Sequence, residues 1–262
     1  MMQYLWQDPD KIISSLKKYH LKLLILDFDG TLTPIAKAPE KAILSESIKD
    51  LLRQLSQKPN YFVAISSGRE LGDLKAKVGL TSIIYGANHG FEGEVFGKKY
   101  SYPLNNKTLK ILQEIRRQLE NKLSQFKGVF IEDKGLTLSL HYRLAHSKQI
   151  HKIKALAKIT LDEFIKDGVI FTISGKMVID ILPKTDWNKG RFADFIVKSV
   201  ASQNKSRPLI IAIGDDKTDE DTFNNLKNGI TIKVGGKNQS NAKYYVKSTK
   251  EVIQFLKTLV SC

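Results

Sequence analysis

Only one cysteine occurs in the 262 residues, and it is the last one, Cys262. An internal disulfide therefore has no second thiol, and no thiolate cluster exists to hold a metal. No apolar stretch approaches the length of a membrane helix. The first twenty residues carry Asp8, Asp10, Lys11 and Lys17 and lack an uninterrupted apolar run, so they are not expected to act as a secretory signal peptide. A cytoplasmic compartment is the expectation. Internal repeats and low-complexity tracts are also absent. Lys and Arg number 42 against 27 Asp and Glu, for a formal charge of +15. Yet there is no dense basic block, no basic stripe interleaved with aromatics and no zinc-finger spacing. Lysine spread along the whole chain reads as a solvated basic surface, so neither nucleic acid nor a membrane is expected as a partner.

The most specific feature present is Leu23-Leu24-Ile25-Leu26-Asp27-Phe28-Asp29-Gly30-Thr31-Leu32. Four apolar residues read as a buried parallel strand. They run into two carboxylates one residue apart, at the strand end where open α/β sheets place their sites. Gly30 lets the chain turn away sharply. A calcium loop of the EF-hand kind would start from a helix and continue with further acids, whereas here a strand precedes and Leu32 follows. The pair suits a nucleophilic carboxylate, a neighbouring acid/base and a divalent metal.

Alternation continues through residues 45–57, read as an amphipathic helix with Ile48, Leu51, Leu52 and Leu55 on one face, a strand over 61–65, a helix over 71–78 and a strand over 83–85. From about residue 92 the texture changes. A hairpin around Gly97 is followed by a long helix with Leu112, Ile115, Leu119 and Leu123 at helical spacing. Leu136, Leu138, Leu140 and Tyr142 then alternate with Thr137, Ser139, His141 and Arg143, which predicts a half-exposed strand. A second helix over about 147–166, a strand over 169–173, a turn at Ser174-Gly175 and a strand over 177–182 lead to Pro183. Beyond it the doubly wound pattern resumes, with a helix over 188–200, a buried strand over 209–213, short strands over 231–234 and 244–246, and a closing helix over 251–260. The expected architecture is α/β: a doubly wound, Rossmann-like parallel-sheet core over residues 1–91 and 184–262, with an inserted α+β domain over 92–183.

Three more segments end core strands or start core helices. Ser66-Ser67-Gly68-Arg69 puts a hydroxyl at a strand end backing onto a helix N-terminus, a ready phosphate site and equally an ordinary cap. Lys189 sits in the first turn of a helix, where a cation opposes the helix dipole and needs a compensating anion. Gly214-Asp215-Asp216-Lys217-Thr218-Asp219-Glu220-Asp221 packs five acids into a strand end, and these repel one another unless a cation binds.

Acid pair, hydroxyl, lysine and acid cluster, in that order, resemble the haloacid dehalogenase-like phosphatases over nearly the whole chain. Finer strings are similar to the trehalose-6-phosphate phosphatase family: Asp27 to Ile35, Ser67-Gly68-Arg69, Asn88-His89-Gly90, Glu132 to Leu136, His141-Tyr142-Arg143, Trp187-Asn188-Lys189-Gly190 and Gly214 to Glu220. The resemblance implies a core of that superfamily's type, with the insert acting as a substrate-specificity cap. It implies that Asp27 is the nucleophile and that Asp29 is the acid and then the base. Mg²⁺ would be held by Asp27, the Asp29 backbone carbonyl and Asp215, with Asp219 helping from outside. Ser67 and Lys189 would hold the phosphoryl oxygens. Arg69, Asn88 and His89 would bind substrate from the core, and Glu132, Lys134, Lys176 and Asp180 from the cap. Alternate residues on a strand share a face, so 132 with 134, and 176 with 180, would point into one cleft. The family usually carries Glu where this chain has Asp180, and often Asp where it has Asn188. The implied reaction is hydrolysis of trehalose 6-phosphate by a monomer, with a separate trehalose-6-phosphate synthase as the related partner. A capped phosphatase acting on sucrose-phosphate or mannosyl-phosphoglycerate is the alternative. A non-catalytic sugar-phosphate sensor would be expected to lose Asp27, Asp29 or the acid cluster, and all are intact here.

Overall fold

The computed structural model describes residues 2–36, 41–226, 228–236 and 239–261; the single cysteine, Cys262, lies outside them. The chain forms two compact units. One runs through Ser101 and resumes at Trp187; the other is Tyr102–Asp186.

In chain order the larger unit begins with β1 (Gln3–Tyr4), α1 (Pro9–Lys18), β2 (Lys22–Leu26), α2 (Glu46–Gln57), β3 (Tyr61–Ser66), α3 (Leu71–Val78), β4 (Ile84–Ala87) and the hairpin β5 (Glu92–Val95) and β6 (Lys98–Ser101). The smaller unit holds α4 (Asn106–Leu123), β7 (Phe130–Asp133), β8 (Leu138–His141), α5 (Ile150–Lys166), β9 (Ile170–Gly175) and β10 (Val178–Pro183). The larger unit resumes with α6 (Lys189–Asn204), β11 (Leu209–Gly214), α7 (Asp219–Asn225), β12 (Ile230–Val234), β13 (Tyr244–Val246) and α8 (Thr249–Ser261).

The larger sheet runs β1-β13-β12-β11-β2-β3-β4-β5-β6. It is parallel from β1 to β4, and the hairpin adds two antiparallel strands at its edge. Successive residues of β2 enter two different cores. Leu24 and Leu26 pack with α1, α2, α3 and α8 on one face, while Leu23 and Ile25 pack with α6 and α7 on the other. Burial on both faces is why this strand is apolar throughout rather than alternating. β2 sits where chain order reverses, with β3 on one side and β11 on the other, so its carboxyl end opens at the topological switch point.

Two boundaries differ from the sequence expectation. The hairpin 92–101 was expected in the insert but belongs to the larger unit, because β5 pairs with β4 and Tyr100 packs on Trp187, Phe192 and Phe195. The junctions therefore fall at 101/102 and 186/187 rather than 91/92 and 183/184. The N-terminal helix α1 was not anticipated, although Asp8 caps it, Pro9 opens it, and Ile12 and Leu16 bury one turn apart.

The smaller unit is a four-stranded antiparallel sheet, β7-β8-β10-β9, with α4 and α5 on one face. Leu112, Ile115, Leu119 and Leu123 of α4 are all buried, as their spacing requires. The strand around β8 is less exposed than its alternation predicts. Thr137 and Ser139 are buried. Ser139 pairs with Glu132 on one side and Asp180 on the other, so a short side chain lies between longer charged ones on the polar face.

Candidate active site

The carboxyl end of β2 delivers Asp27, whose backbone N–H is fixed on the Ile213 carbonyl of β11 at 2.9 Å. Lys189, in the first turn of α6, reaches it with Nζ donating to Asp27 Oδ1 at 2.7 Å and to Asp219 Oδ1 at 2.6 Å. The lysine is 3% exposed. The two carboxylates supply the anionic compensation its helix position demands. Their charges outweigh the burial that would lower Lys189, so its pKa is raised and it stays protonated.

Asp215 follows β11 directly. Gly30, at φ +90°, comes so close that a Cβ there would overlap the Asp215 carboxylate, so only glycine fits this turn. One carboxylate oxygen from each of Asp27, Asp215 and Asp219 lies within 4.8 Å of the others. Burial pushes the Asp27 carboxyl well above its ordinary value; Lys189 pulls against this, and Asp219, Asp215 and Asp216 add to it. Burial, together with Asp219 and Asp216, pushes Asp215 up to about 7. Its Oδ1 is buried without a hydrogen-bond partner among the described residues. Converging, mutually repelling carboxylates with an orphaned buried oxygen are a donor set that fits a hard divalent cation.

The rest of the acidic segment does other work. Asp216 accepts from the Thr218 N–H at 2.7 Å and hydroxyl at 2.6 Å, shaping the turn. Asp219 Oδ2 accepts from the Asp216 N–H at 3.1 Å. Glu220 is taken up by Ser240 and the Asn241 N–H. Lys233 of β12 extends its ammonium to the Asp215 carbonyl at 2.5 Å and the Asp216 carbonyl at 3.4 Å. The sequence signal for Lys233 was a lone cation in Ile-Thr-Ile-Lys-Val, read only as strand.

Asp29 is held by Arg69, Nε to Oδ2 at 2.7 Å and Nη2 to Oδ1 at 2.8 Å, and Arg69 Nη1 also donates to Asp73 at 2.6 Å. Ser67 is 2% exposed, and its Oγ accepts from the Arg69 N–H at 3.2 Å. Asn88 and His89 both take left-handed backbone, φ 51° and 57°, which costs non-glycine residues energy. Their N–H groups are stapled to the Arg69 carbonyl at 2.6 Å and the Ser67 carbonyl at 3.1 Å. The strained turn and the Ser67–Arg69 loop thus hold each other. Trp187 Nε1 donates to the Gly90 carbonyl at 2.7 Å, and Asn188 caps α6 by accepting from the Arg191 N–H at 2.9 Å.

Glu132, Lys134 and Asp180 meet on the open face of the smaller sheet. Lys134 Nζ is 3.7 Å from Glu132 Oε2 and 3.9 Å from Asp180 Oδ1. Ser139 Oγ donates to Asp180 Oδ1, which anchors the shorter acid. His141 Nε2 donates to Glu132 Oε2 at 2.7 Å. Burial raises the Glu132 pKa, but the His141 hydrogen bond and the Lys134 charge overcome this and hold it below its usual value. Lys176 is placed differently from the expectation. It is exposed, between β9 and β10, beside Met177 at φ 67°, so strand alternation with Asp180 does not reach it. Arg143 donates to its carbonyl.

A family profile described as trehalose-phosphatase matches residues 25–251. Trehalose-phosphate phosphatase B of Arabidopsis thaliana is 28% identical over 96% of this chain and 69% of its own length. Trehalose-phosphate phosphatase of Mycobacterium ulcerans is 32% identical over 91% of this chain and 61% of its own. The structure of the C. albicans trehalose-6-phosphate phosphatase C-terminal domain superposes with a TM-score of 0.85 at 24% identity, covering 100% of this chain and 98% of that one, a likeness of fold. Among the described residues, no helix is long and apolar enough to cross a membrane.

Proposed function

The chain belongs to the trehalose-phosphatase family, and from that premise we propose that it hydrolyses trehalose 6-phosphate to trehalose and phosphate through a phosphorylated Asp27. The observation that supports this most is the convergence of Asp27, Lys189, Asp215 and Asp219 at the sheet's switch point.

Asp27 attacks phosphorus, and the bond from phosphorus to the sugar oxygen breaks. Asp29, having taken a proton from solvent on the oxygen that one prong of Arg69 releases, gives that proton to the sugar oxygen, and the remaining Arg69 bond fixes the direction from which Asp29 acts. In the second half Asp29 takes a proton from water as the water attacks phosphorus, and Asp27 is released. Lys189 and Ser67 bind the phosphoryl oxygens, over which charge spreads in the transition state. Asp27 and Asp215 would hold Mg²⁺ with the Asp29 carbonyl, supported by Asp219; the ion supplies charge neutralisation to an anionic nucleophile facing an anionic phosphate.

Arg69, Asn88 and His89 are proposed to contact substrate from the larger unit. Glu132, Lys134, Asp180 and Lys176 are proposed to read the sugar hydroxyls from the smaller one. Hydrogen bonds of that kind reject sugars lacking the matching group. A monomer in the cytoplasm, supplied by a separate trehalose-6-phosphate synthase, completes the reading. Acid quench during turnover, borohydride reduction and peptide mass spectrometry test it. Homoserine at position 27 is expected; a modified residue elsewhere, or none, contradicts the covalent step.

A further inference from the structure

The open face of the smaller sheet carries a ring pair that the proposed reaction leaves unused. Phe130 opens β7, an edge strand, and is 49% exposed. Its partner in the antiparallel register is His141 of β8. The two rings lie face to face, centroids 4.6 Å apart with 13° between planes. His141 holds Glu132 at 2.7 Å. Glu132 stands two residues on from Phe130, hence on the same side of the strand. Ser139 and Asp180 continue that face across the register, and Lys134 Nζ lies between Glu132 and Asp180.

A large apolar ring at an edge, rimmed by the carboxylates of Glu132 and Asp180 and the ammonium of Lys134, has one recognisable complement. A pyranose offers weakly positive C–H groups on its flat face and hydroxyls around its rim. The C–H face suits the negative π-face of an aromatic ring, and the rim suits ionised acceptors and donors. A nucleobase would need base-edge partners in its plane, and a lipid would leave the charged rim unmatched. His141 covers one side of Phe130, which directs the other side outward.

We propose that Phe130 and His141 form a stacking platform for one pyranose ring of a sugar phosphate, with Phe130 in contact with the sugar and His141 a positioning residue that aims Glu132 at its hydroxyls. The inference rests on the sugar-phosphate reading above. His141 belongs to the string His141-Tyr142-Arg143 noted in the sequence, to which no role was attached; Phe130 carried no signal, since an isolated Phe in a short strand is ordinarily core.

The test uses the full chain with Mg²⁺ and compares kcat/KM for trehalose 6-phosphate, sucrose 6-phosphate and glucose 6-phosphate with that for acetyl phosphate, which has no ring to stack. Inhibition by free trehalose gives binding without turnover, and thermal melting reports the fold. Phe130→Ala is expected to lose about tenfold more on sugar phosphates than on acetyl phosphate, mainly in KM, and to weaken trehalose inhibition by a similar factor. Phe130→Trp keeps a ring and is expected to stay within about threefold of wild type on trehalose 6-phosphate. His141→Gln, which retains an N–H for Glu132, is expected to keep more sugar-phosphate activity than His141→Ala. Equal losses on sugar and acetyl phosphates, or unchanged trehalose inhibition in Phe130→Ala, overturn the platform. Equal losses in the two His141 variants overturn the positioning role. A wild type that prefers a different sugar phosphate contradicts the trehalose assignment instead, and the platform is then judged on that preferred sugar.

Discussion

Arg69 grips both carboxylate oxygens of Asp29 in a two-pronged pair, 2.7 Å and 2.8 Å long, while its third nitrogen holds Asp73. Burial would lower the guanidinium pKa, but the bonds to Asp29 and Asp73 raise it on balance, so the clamp stays charged. Lysine cannot reproduce the fork. Arg69→Lys is expected to lower kcat about 10- to 100-fold on every phosphate ester, because the acid loses its fixed direction. Steady-state kinetics on sugar phosphates and a simple alkyl phosphate check this; a loss confined to sugar KM would place Arg69 on the sugar alone.

Asp27→Asn is expected to reduce turnover by at least about a thousandfold while the protein folds and melts cooperatively. The substitution removes one of the mutually repelling buried acids, and Lys189 keeps Asp219 as its counter-ion. Substantial residual activity would move the nucleophile elsewhere.

Mg²⁺ is expected to raise the melting temperature of chelator-treated protein by about 5 °C at a hundredfold excess over its dissociation constant. Asp215→Asn should remove most of that shift, since its buried Oδ1 has no other partner among the described residues. A full shift in the variant would place the cation away from Asp215.

Glu132 titrates below its unfolded value of 4.5 because His141 and Lys134 outweigh its burial. A depressed carboxyl contributes stability that is present above the unfolded pKa and is lost as pH falls through the lower folded one. The melting-temperature gap between wild type and Glu132→Gln should therefore be full above about pH 5 and shrink below about pH 4. A gap independent of pH would show that the charge does not carry the contact.

Both cores of the larger unit were legible because apolar runs buried on two faces, such as Leu23 to Leu26, have few other solutions. The same holds for the amphipathic faces of α2 and α4. The acid pair and the acidic segment were legible because their charges end apolar strands at one sheet edge, Ser67 because a hydroxyl follows a strand, and Lys189 because a cation stands in the first turn of a helix. Partners set by tertiary placement were not. Nothing near Asp29 announces Arg69, 40 residues away along the chain, and Lys233 shows its role only when β12 lies beside β11. Lys176 does not share the face of Asp180 because Ser174 and Gly175 are paired strand residues and the turn falls on Lys176 and the left-handed Met177 instead. The hairpin 92–101 was assigned to the insert because antiparallel texture marks a change of local pattern and does not say which sheet receives it.

The most direct measurement is phosphate release with Mg²⁺ from trehalose 6-phosphate, sucrose 6-phosphate, glucose 6-phosphate and acetyl phosphate, for wild type and Asp27→Asn side by side. The account predicts kcat/KM for trehalose 6-phosphate at least about a hundredfold above the other sugar phosphates, and loss of all activity in the variant. Comparable rates on every substrate, or turnover that survives Asp27→Asn, would contradict it.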